Sequence, residues 1–132
     1  MSAGEIIPSR DGSQLTSSIA DVFQRHPDNL FLRHPDNPLF TAMGWPYPVN
    51  AVFNPGATLL PSGETLLLVR VEDHRGISHL TAARSQDGVR DWKIDPQPTF
   101  SGMPKRYPEE LWGVEDPRIV WLDELKRYAI TY

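Results

Sequence analysis

Apolar positions are sparse over residues 1–37 and dense thereafter. Within the polar leading stretch, residues 13–26 carry Leu15, Ile19, Val22 and Phe23 on one stripe at helical spacing, which predicts one short helix that Pro27 ends. A five-residue word occurs twice, as Arg25-His26-Pro27-Asp28-Asn29 and Arg33-His34-Pro35-Asp36-Asn37, eight residues apart. Solenoid repeats run to ~20–50 residues, so the word reads as a local duplication or chance. From Pro38 the pattern changes. Pro46, Pro48 and Pro55 divide an aromatic stretch holding Trp45, Tyr47 and Phe53, which reads as a structured loop leading into a sheet. Residues 57–60 predict a first strand, Pro61-Ser62-Gly63 a turn with proline at its favoured position, and 64–72 a long strand rich in leucine and valine. A loop at 73–76, a strand at 77–85, a turn at 86–88 and a short strand at 91–94 follow.

Four short strands with tight connections form an antiparallel meander. After a proline-rich excursion at 95–108, residues 115–122 and 127–132 begin a second set. The reading is therefore an all-β fold, preferentially a β-propeller, whose blades are four-stranded meanders, with a sandwich as the alternative. The predicted strands fall well short of the roughly 16 that even a small propeller needs. The chain also stops inside the apolar run Tyr128-Ala129-Ile130-Thr131-Tyr132, whereas C-termini more often trail through polar residues. Both features predict a fragment: residues 1–37 a leader, 38–132 the first part of a propeller truncated at its C-terminus. The unpaired faces of such a fragment, including one side of the 64–72 strand, would meet water and make the isolated chain sticky.

Composition narrows the classes. With 13 Pro and 9 Gly in 132 residues, an all-helical bundle is excluded. A hydrophobic fraction of 39% supplies a core and argues against wholesale disorder. The absence of cysteine removes disulfide and thiolate-metal frameworks, and His26, His34, His74 and His79 lack ligand spacing on one face, so no metal is expected. A net charge of −4 argues against nucleic acid as a partner. No run approaches the ~20 apolar residues of a membrane span, and the first residues lack a signal peptide's apolar stretch, so the expected compartment is the cytoplasm without a membrane partner. Ten of the 13 basic residues are arginine, which suits bidentate carboxylate or phosphate contacts.

Three places could carry chemistry. Arg70 sits within Leu66-Leu67-Leu68-Val69-Arg70-Val71, a run apolar on both faces, so its guanidinium is either buried or opens into a cavity. A buried guanidinium needs partners. One reading is a structural ion pair with Glu72 on the same face, the other a cavity-facing ligand clamp. The second place is Trp112-Gly113-Val114-Glu115-Asp116-Pro117-Arg118. In an extended chain Glu115 and Asp116 point to opposite faces, and Pro117 biases Asp116 towards that extended region. Asp116 would then share a face with Arg118, whose charge opposes the raised pKa a general acid needs. A surface ion pair and a catalytic acid both fit the local pattern. The third, Ala83-Arg84-Ser85-Gln86-Asp87-Gly88 with Trp92, reads as a structural turn and resembles the Ser/Asp/Gly/Trp turns in blades of sugar-processing propellers.

Taken in order, the motifs Pro46-Tyr47-Pro48-Val49-Asn50-Ala51-Val52-Phe53-Asn54-Pro55-Gly56-Ala57, Leu67-Leu68-Val69-Arg70-Val71-Glu72-Asp73 and Trp112-Gly113-Val114-Glu115-Asp116-Pro117-Arg118 resemble the N-terminal part of glycoside hydrolase family 130, the family of β-1,4-mannoside phosphorylases. The resemblance covers residues 33–132. It implies a five-bladed propeller with a site in its central channel, a catalytic aspartic acid at Asp116, sugar-binding Asn54 and Arg70, and Arg75 and Glu115 as further lining residues. It also implies inverting phosphorolysis of mannosylglucose or mannooligosaccharides to mannose 1-phosphate, with inorganic phosphate as co-substrate and no cofactor. The acid delivers its proton to the glycosidic oxygen, by the family's account through the 3-hydroxyl of the mannose, while phosphate attacks from the opposite face. The family's phosphate ligands lie largely beyond residue 132. An inverting hydrolase on the same scaffold and a non-catalytic carbohydrate-binding propeller are the alternatives, and homo-oligomerisation of a full-length protein stays open.

Overall fold

The computed structural model describes residues 33–132; the helix expected at 13–26 and the first copy of the repeated word lie outside the described residues. In the second copy the Asn37 N–H donates to the His34 carbonyl at 3.0 Å, closing a turn. A division of the chain falls between Asn37 and Pro38, and the fold below is that of Pro38–Tyr132.

Among the described residues the fold is all-β, relieved only by two single turns of 3-10 helix at Ala42–Gly44 and Pro108–Glu110. Strands β1 (Ala51–Leu59), β2 (Thr65–Glu72), β3 (Ser78–Ser85) and β4 (Lys93–Ile94) form an antiparallel sheet in spatial order β1-β2-β3-β4. The turns are built as their residues dictate. Gly63 N–H donates to Leu60 O at 2.9 Å and Leu60 N–H to Glu64 O at 2.8 Å. Asp73 Oδ1 accepts from the N–H groups of Arg75 and Ile77 and thereby closes the β2–β3 loop. The Asp87 carboxylate accepts from Val89 and Arg90 N–H, each at 2.8 Å, which with Ser85 holds its pKa at about 2. Trp92 Nε1 returns to this turn by donating to Val89 O. The 83–88 segment thus makes a structural turn.

Three boundaries differ from the sequence expectation. First, β1 begins at Ala51 and runs through Pro55 rather than starting after it. The pairing slips between Val52↔Val71 and Pro55↔Val69, so Phe53 and Asn54 together stand opposite the single residue Arg70. This is a β-bulge, and the missing N–H of Pro55 accounts for a ladder that breaks there. Second, the proline-rich excursion returns to the sheet. β5 (Phe100–Ser101) pairs with β3 at His79 and Leu80, whereas β4 pairs with β3 at Ala83 and Arg84. The outermost position is therefore shared by two short strands, because Pro96 and Pro98 lie between them and cannot donate to a ladder. Third, β6 (Arg118–Leu122) starts three residues later than expected and pairs with β7 (Arg127–Thr131) in a two-stranded hairpin.

Alternation along β2 sends its side chains to two apolar layers. Leu67, Val69 and Val71 pack with Trp45, Val49 and Ala83, closed over by Phe40, Tyr47 and Trp92. On the other face Leu68 packs with Leu80, Ala82 and Val114, flanked by Leu66, Phe100 and Ile119. The expectation that one face of this strand would be bare is corrected. The proline-divided segment before β1 covers one side, and the stretch around Val114 and Ile119 covers the other. Arg70 continues the Leu66-Leu68 row and ends it at the sheet's polar margin.

His79 is buried, with Nε2 2.9 Å from the Tyr47 hydroxyl, which also bonds Thr81 Oγ1. Burial pushes the imidazole below its usual value, against the charge of Asp73. The unfolded chain, with its histidine near ~6.5, therefore binds more protons than the fold as pH falls, so stability declines from about pH 6.5 towards the lower folded value. Asp73 and Asp87, each held at about 2, lose their contribution only at lower pH, as it falls below the ordinary carboxylate range. The melting temperature is expected to drop as pH falls below about 6.5, and His79→Gln to flatten that slope; an equal slope in the variant would place the effect elsewhere.

Candidate active site around Arg70 and Asp116

The bulge, the end of β2 and the loop before β6 meet at the Arg70 guanidinium. Each of its three nitrogens has a partner. Nε donates to Ser78 Oγ at 3.1 Å, Nη1 to Asp116 Oδ1 at 3.1 Å, and Nη2 lies 2.7 Å from Glu115 Oε1. Its Cζ stands 4.8 Å from the centroid of the Phe53 ring, a cation–π arrangement. The side chain is only 17% exposed, whereas Asp116 is 56% exposed, so the cation is sheltered and the carboxylate opens to solvent. The alternative ion pair with Glu72 does not form. Glu72 Oε1 instead accepts from Asn50 Nδ2 at 2.7 Å.

Asp116 does not take the extended conformation that Pro117 was expected to impose. Its φ is +46°, in the left-handed region. That region is uncommon for residues other than glycine, though Asp and Asn tolerate it best, and strained backbone of this kind clusters at functional sites. The consequence corrects a second expectation. Glu115 and Asp116 do not point to opposite faces of a strand; both turn onto one guanidinium. Arg118 donates from Nη1 to the main-chain carbonyls of Asp116 and Pro117 at 3.1 and 3.0 Å, and its charge still adds to the lowering of the Asp116 carboxyl. The Asp116 carboxyl is held below its ordinary value, chiefly by the Arg70 hydrogen bond and further by one from Asn54, while partial burial opposes them.

Two glycines permit the juxtaposition. A Cβ on Gly56 would stand 2.8 Å from Pro117 O, so β1 can approach the start of β6 only without one. At Gly113 a Cβ would stand 2.1 Å from Ser78 O, where an isolated bridge joins the loop to β3. Val114 N–H donates to Ser78 O at 3.0 Å, and Val114 and Pro117 are fully buried, so the loop is anchored on both sides of its carboxylates.

The structure thus gathers Asn54, Arg70, Glu115 and Asp116. Arg75 does not join them. It lies on the β2–β3 loop and forks onto Asp73 at 2.9 and 2.7 Å, holding that carboxyl at about 2. It lines a neighbouring cavity of about 280 Å³ with Asp73, Ser78, His79, Glu110 and Gly113. Sequence reasoning missed Ser78 and the contact of Phe53 with Arg70. Pro55 inside an apolar stretch was the available signal for the bulge that brings Phe53 there. The result is a half-exposed carboxylate beside a sheltered cation and an aromatic ring.

No family model matches the sequence, and no curated protein matches it. Solved structures share its fold. A chain described as a glycoside hydrolase from Parabacteroides distasonis superposes with a TM-score of 0.56 at 22% identity, over 74% of this chain and 40% of that one. A second, from work on the glycoside hydrolase family 130 of mannoside phosphorylases and its hydrolases that target β-1,2 mannosidic linkages in Candida mannan, gives 0.55 at 24% identity, over 75% and 39%. A glycosyl hydrolase from Bacteroides ovatus gives 0.55 at 24%, over 74% and 39%. The chain therefore spans about two-fifths of the length of these proteins.

Proposed function

We propose that this chain is part of a glycoside-processing enzyme of glycoside hydrolase family 130, contributing the acid and sugar-binding side of a site that phosphorolyses β-mannosides to mannose 1-phosphate with inversion. The observation that carries the reading is the convergence of Glu115 and Asp116 on the sheltered Arg70, drawn from two separate segments, at one half-open position. The β1–β4 meander and the β6–β7 hairpin are read as one blade and the start of the next in a five-bladed propeller, which sets the site at the inner strands. The remaining blades supply the phosphate ligands, and the chain alone does not turn over.

In the reaction Asp116 is the general acid, passing a proton towards the glycosidic oxygen, while phosphate attacks the anomeric carbon from the opposite face. Phosphate is already an anion and needs no second carboxylate as base. Resting Asp116 is ionised, held by Arg70 and Asn54. A sugar closing over it removes water, and desolvation raises a carboxyl's proton affinity, so the acid form is reached as substrate enters. Arg70 and Asn54 then orient sugar hydroxyls, with Phe53 as an apolar floor. Inverting hydrolysis is the second reading, favoured by the β-1,2-mannoside hydrolases named for one structural neighbour. It needs a second carboxylate some ~6.5–9.5 Å from the acid to activate water.

The test is product analysis. The parent protein containing this chain is incubated with mannobiose or mannosylglucose, with and without inorganic phosphate. Mannose 1-phosphate, formed only when phosphate is present, is the expected product. Free mannose at an undiminished rate without phosphate establishes the hydrolase instead, and no consumption of any β-mannoside overturns both.

A further inference from the structure

Ser78 is one of the most buried polar residues described, at 1% exposure, and it touches Arg70 and the segment that leads to Asp116. Its Oγ receives the Arg70 Nε–H at 3.1 Å. A guanidinium on a flexible stem can swivel about its last bonds; an acceptor on Nε fixes the plane of the fork, so that Nη1 and Nη2 are presented together. The main chain of the same residue carries the opposing loop. Ser78 O accepts the Val114 N–H at 3.0 Å, Ser78 N–H faces Trp112 O at 3.5 Å, and Gly113 lies against it as an isolated parallel bridge. Two residues further on stand Glu115 and Asp116, which receive Nη2 and Nη1. On β3, Ser78 pairs with Glu72 and Leu80 with Arg70, which sets its hydroxyl diagonally across the sheet from the guanidinium. One buried residue thereby bonds both the cation and the segment that leads to the carboxylate.

We propose that Ser78 is a positioning residue for the Asp116 carboxyl, acting on Arg70 with its hydroxyl and on the 112–114 segment with its main chain. The role in turnover rests on the function proposed above; the role in setting the Arg70–Asp116 pair does not. Serine suits the place because it is small enough for a fully buried site and offers an acceptor. Alanine would keep the main-chain bridge and leave the Nε–H without its partner, separating the two functions.

Side-chain carboxyl NMR titration of the parent protein reads the pair directly. In Ser78→Ala the Asp116 midpoint is expected to move up towards the ordinary aspartate value as the guanidinium loosens, with the amide spectrum of β2 and β3 otherwise retained. In the parent protein the same variant should lose about tenfold in kcat or more, since misplacement of a reacting group by about an ångström can lose up to 10²-fold, and the acid-dependent limb of its pH profile should shift in the same direction. A loss of packing alone would lower the melting temperature without moving either. The unmodified protein supplies an independent reading that needs no variant: the sheltered Arg70 Nε–H should exchange with water far more slowly than that of Arg75, which bonds Asp73 on a side chain that is 79% exposed. Equal exchange rates, or an Asp116 titration unchanged in Ser78→Ala, overturn the proposal. A parent protein with no glycoside turnover overturns the proposed function and leaves the NMR comparisons to decide this one.

Discussion

Replacing Asp116 with asparagine in the parent protein is expected to lower glycoside turnover by about 10²–10⁴-fold, the usual worth of a positioned general acid, with the fold intact. The substitution is close to isosteric and isolates the proton. Asn keeps an oxygen that can accept from Arg70 Nη1, and the left-handed φ of +46° at this position suits Asn as well as it suits Asp. The side chain is 56% exposed, so no buried charge is lost. What disappears is the group that can gain and give a proton. The melting temperature is expected to stay near that of the unmodified protein, and product release from β-mannosides to fall to near background. Retention of more than half the rate would remove Asp116 from the acid role.

Gly113→Ala is expected to give the largest loss of stability of any alanine substitution at the described glycines. The new Cβ would stand 2.1 Å from Ser78 O, 2.6 Å from Ser78 N and 2.9 Å from Ser78 C, all main-chain atoms of a paired strand that cannot give way as a flexible side-chain tip can. The φ of +97° adds strain of its own. Overpacking and a forbidden backbone conformation each cost about 1–3 kcal/mol, so a total of roughly 3 kcal/mol or more follows. For a domain of this size that lowers the melting temperature by about 10 °C or more. The loop must detach from β3, taking Val114 out of the core and Asp116 away from Arg70, so turnover should fall with stability. Gly76→Ala provides the comparison, because its φ is +78° but nothing lies within 4 Å of the added carbon. It should show the strain without the clash. Equal melting curves for the two variants would mean that the close approach at Ser78 contributes nothing.

The same contact marks where reading the chain stops working. Runs such as Leu66-Leu67-Leu68-Val69 and turns such as Pro61-Ser62-Gly63 and Gln86-Asp87-Gly88 announce themselves, because strand propensity and turn chemistry are local properties of a few adjacent residues. Those residues sufficed for the all-β class, the meander order of β1 to β4 and the hairpin of β6 and β7; local pattern marked Arg70, Glu115 and Asp116 as candidates, and the family resemblance added Asn54. The partners of Arg70 were not legible. Glu72 is its neighbour in sequence and on the same face, and local reasoning prefers it, yet the carboxylates that reach the guanidinium stand 45 and 46 residues away in sequence. The conformation of Asp116 was misread for a related reason: the preference imposed by a following proline is weaker than the combined hold of Arg70, Asn54, Arg118 and the buried Val114 and Pro117. Local sequence carried the longer strands, their turns and the residue types of the site, but not β5 or the starts of β1 and β6. Only the tertiary structure decided which of those residues meet, because a two-to-one bulge at Phe53-Asn54 and a Cβ-free approach at Gly113 depend on segments that touch in space and are remote along the chain.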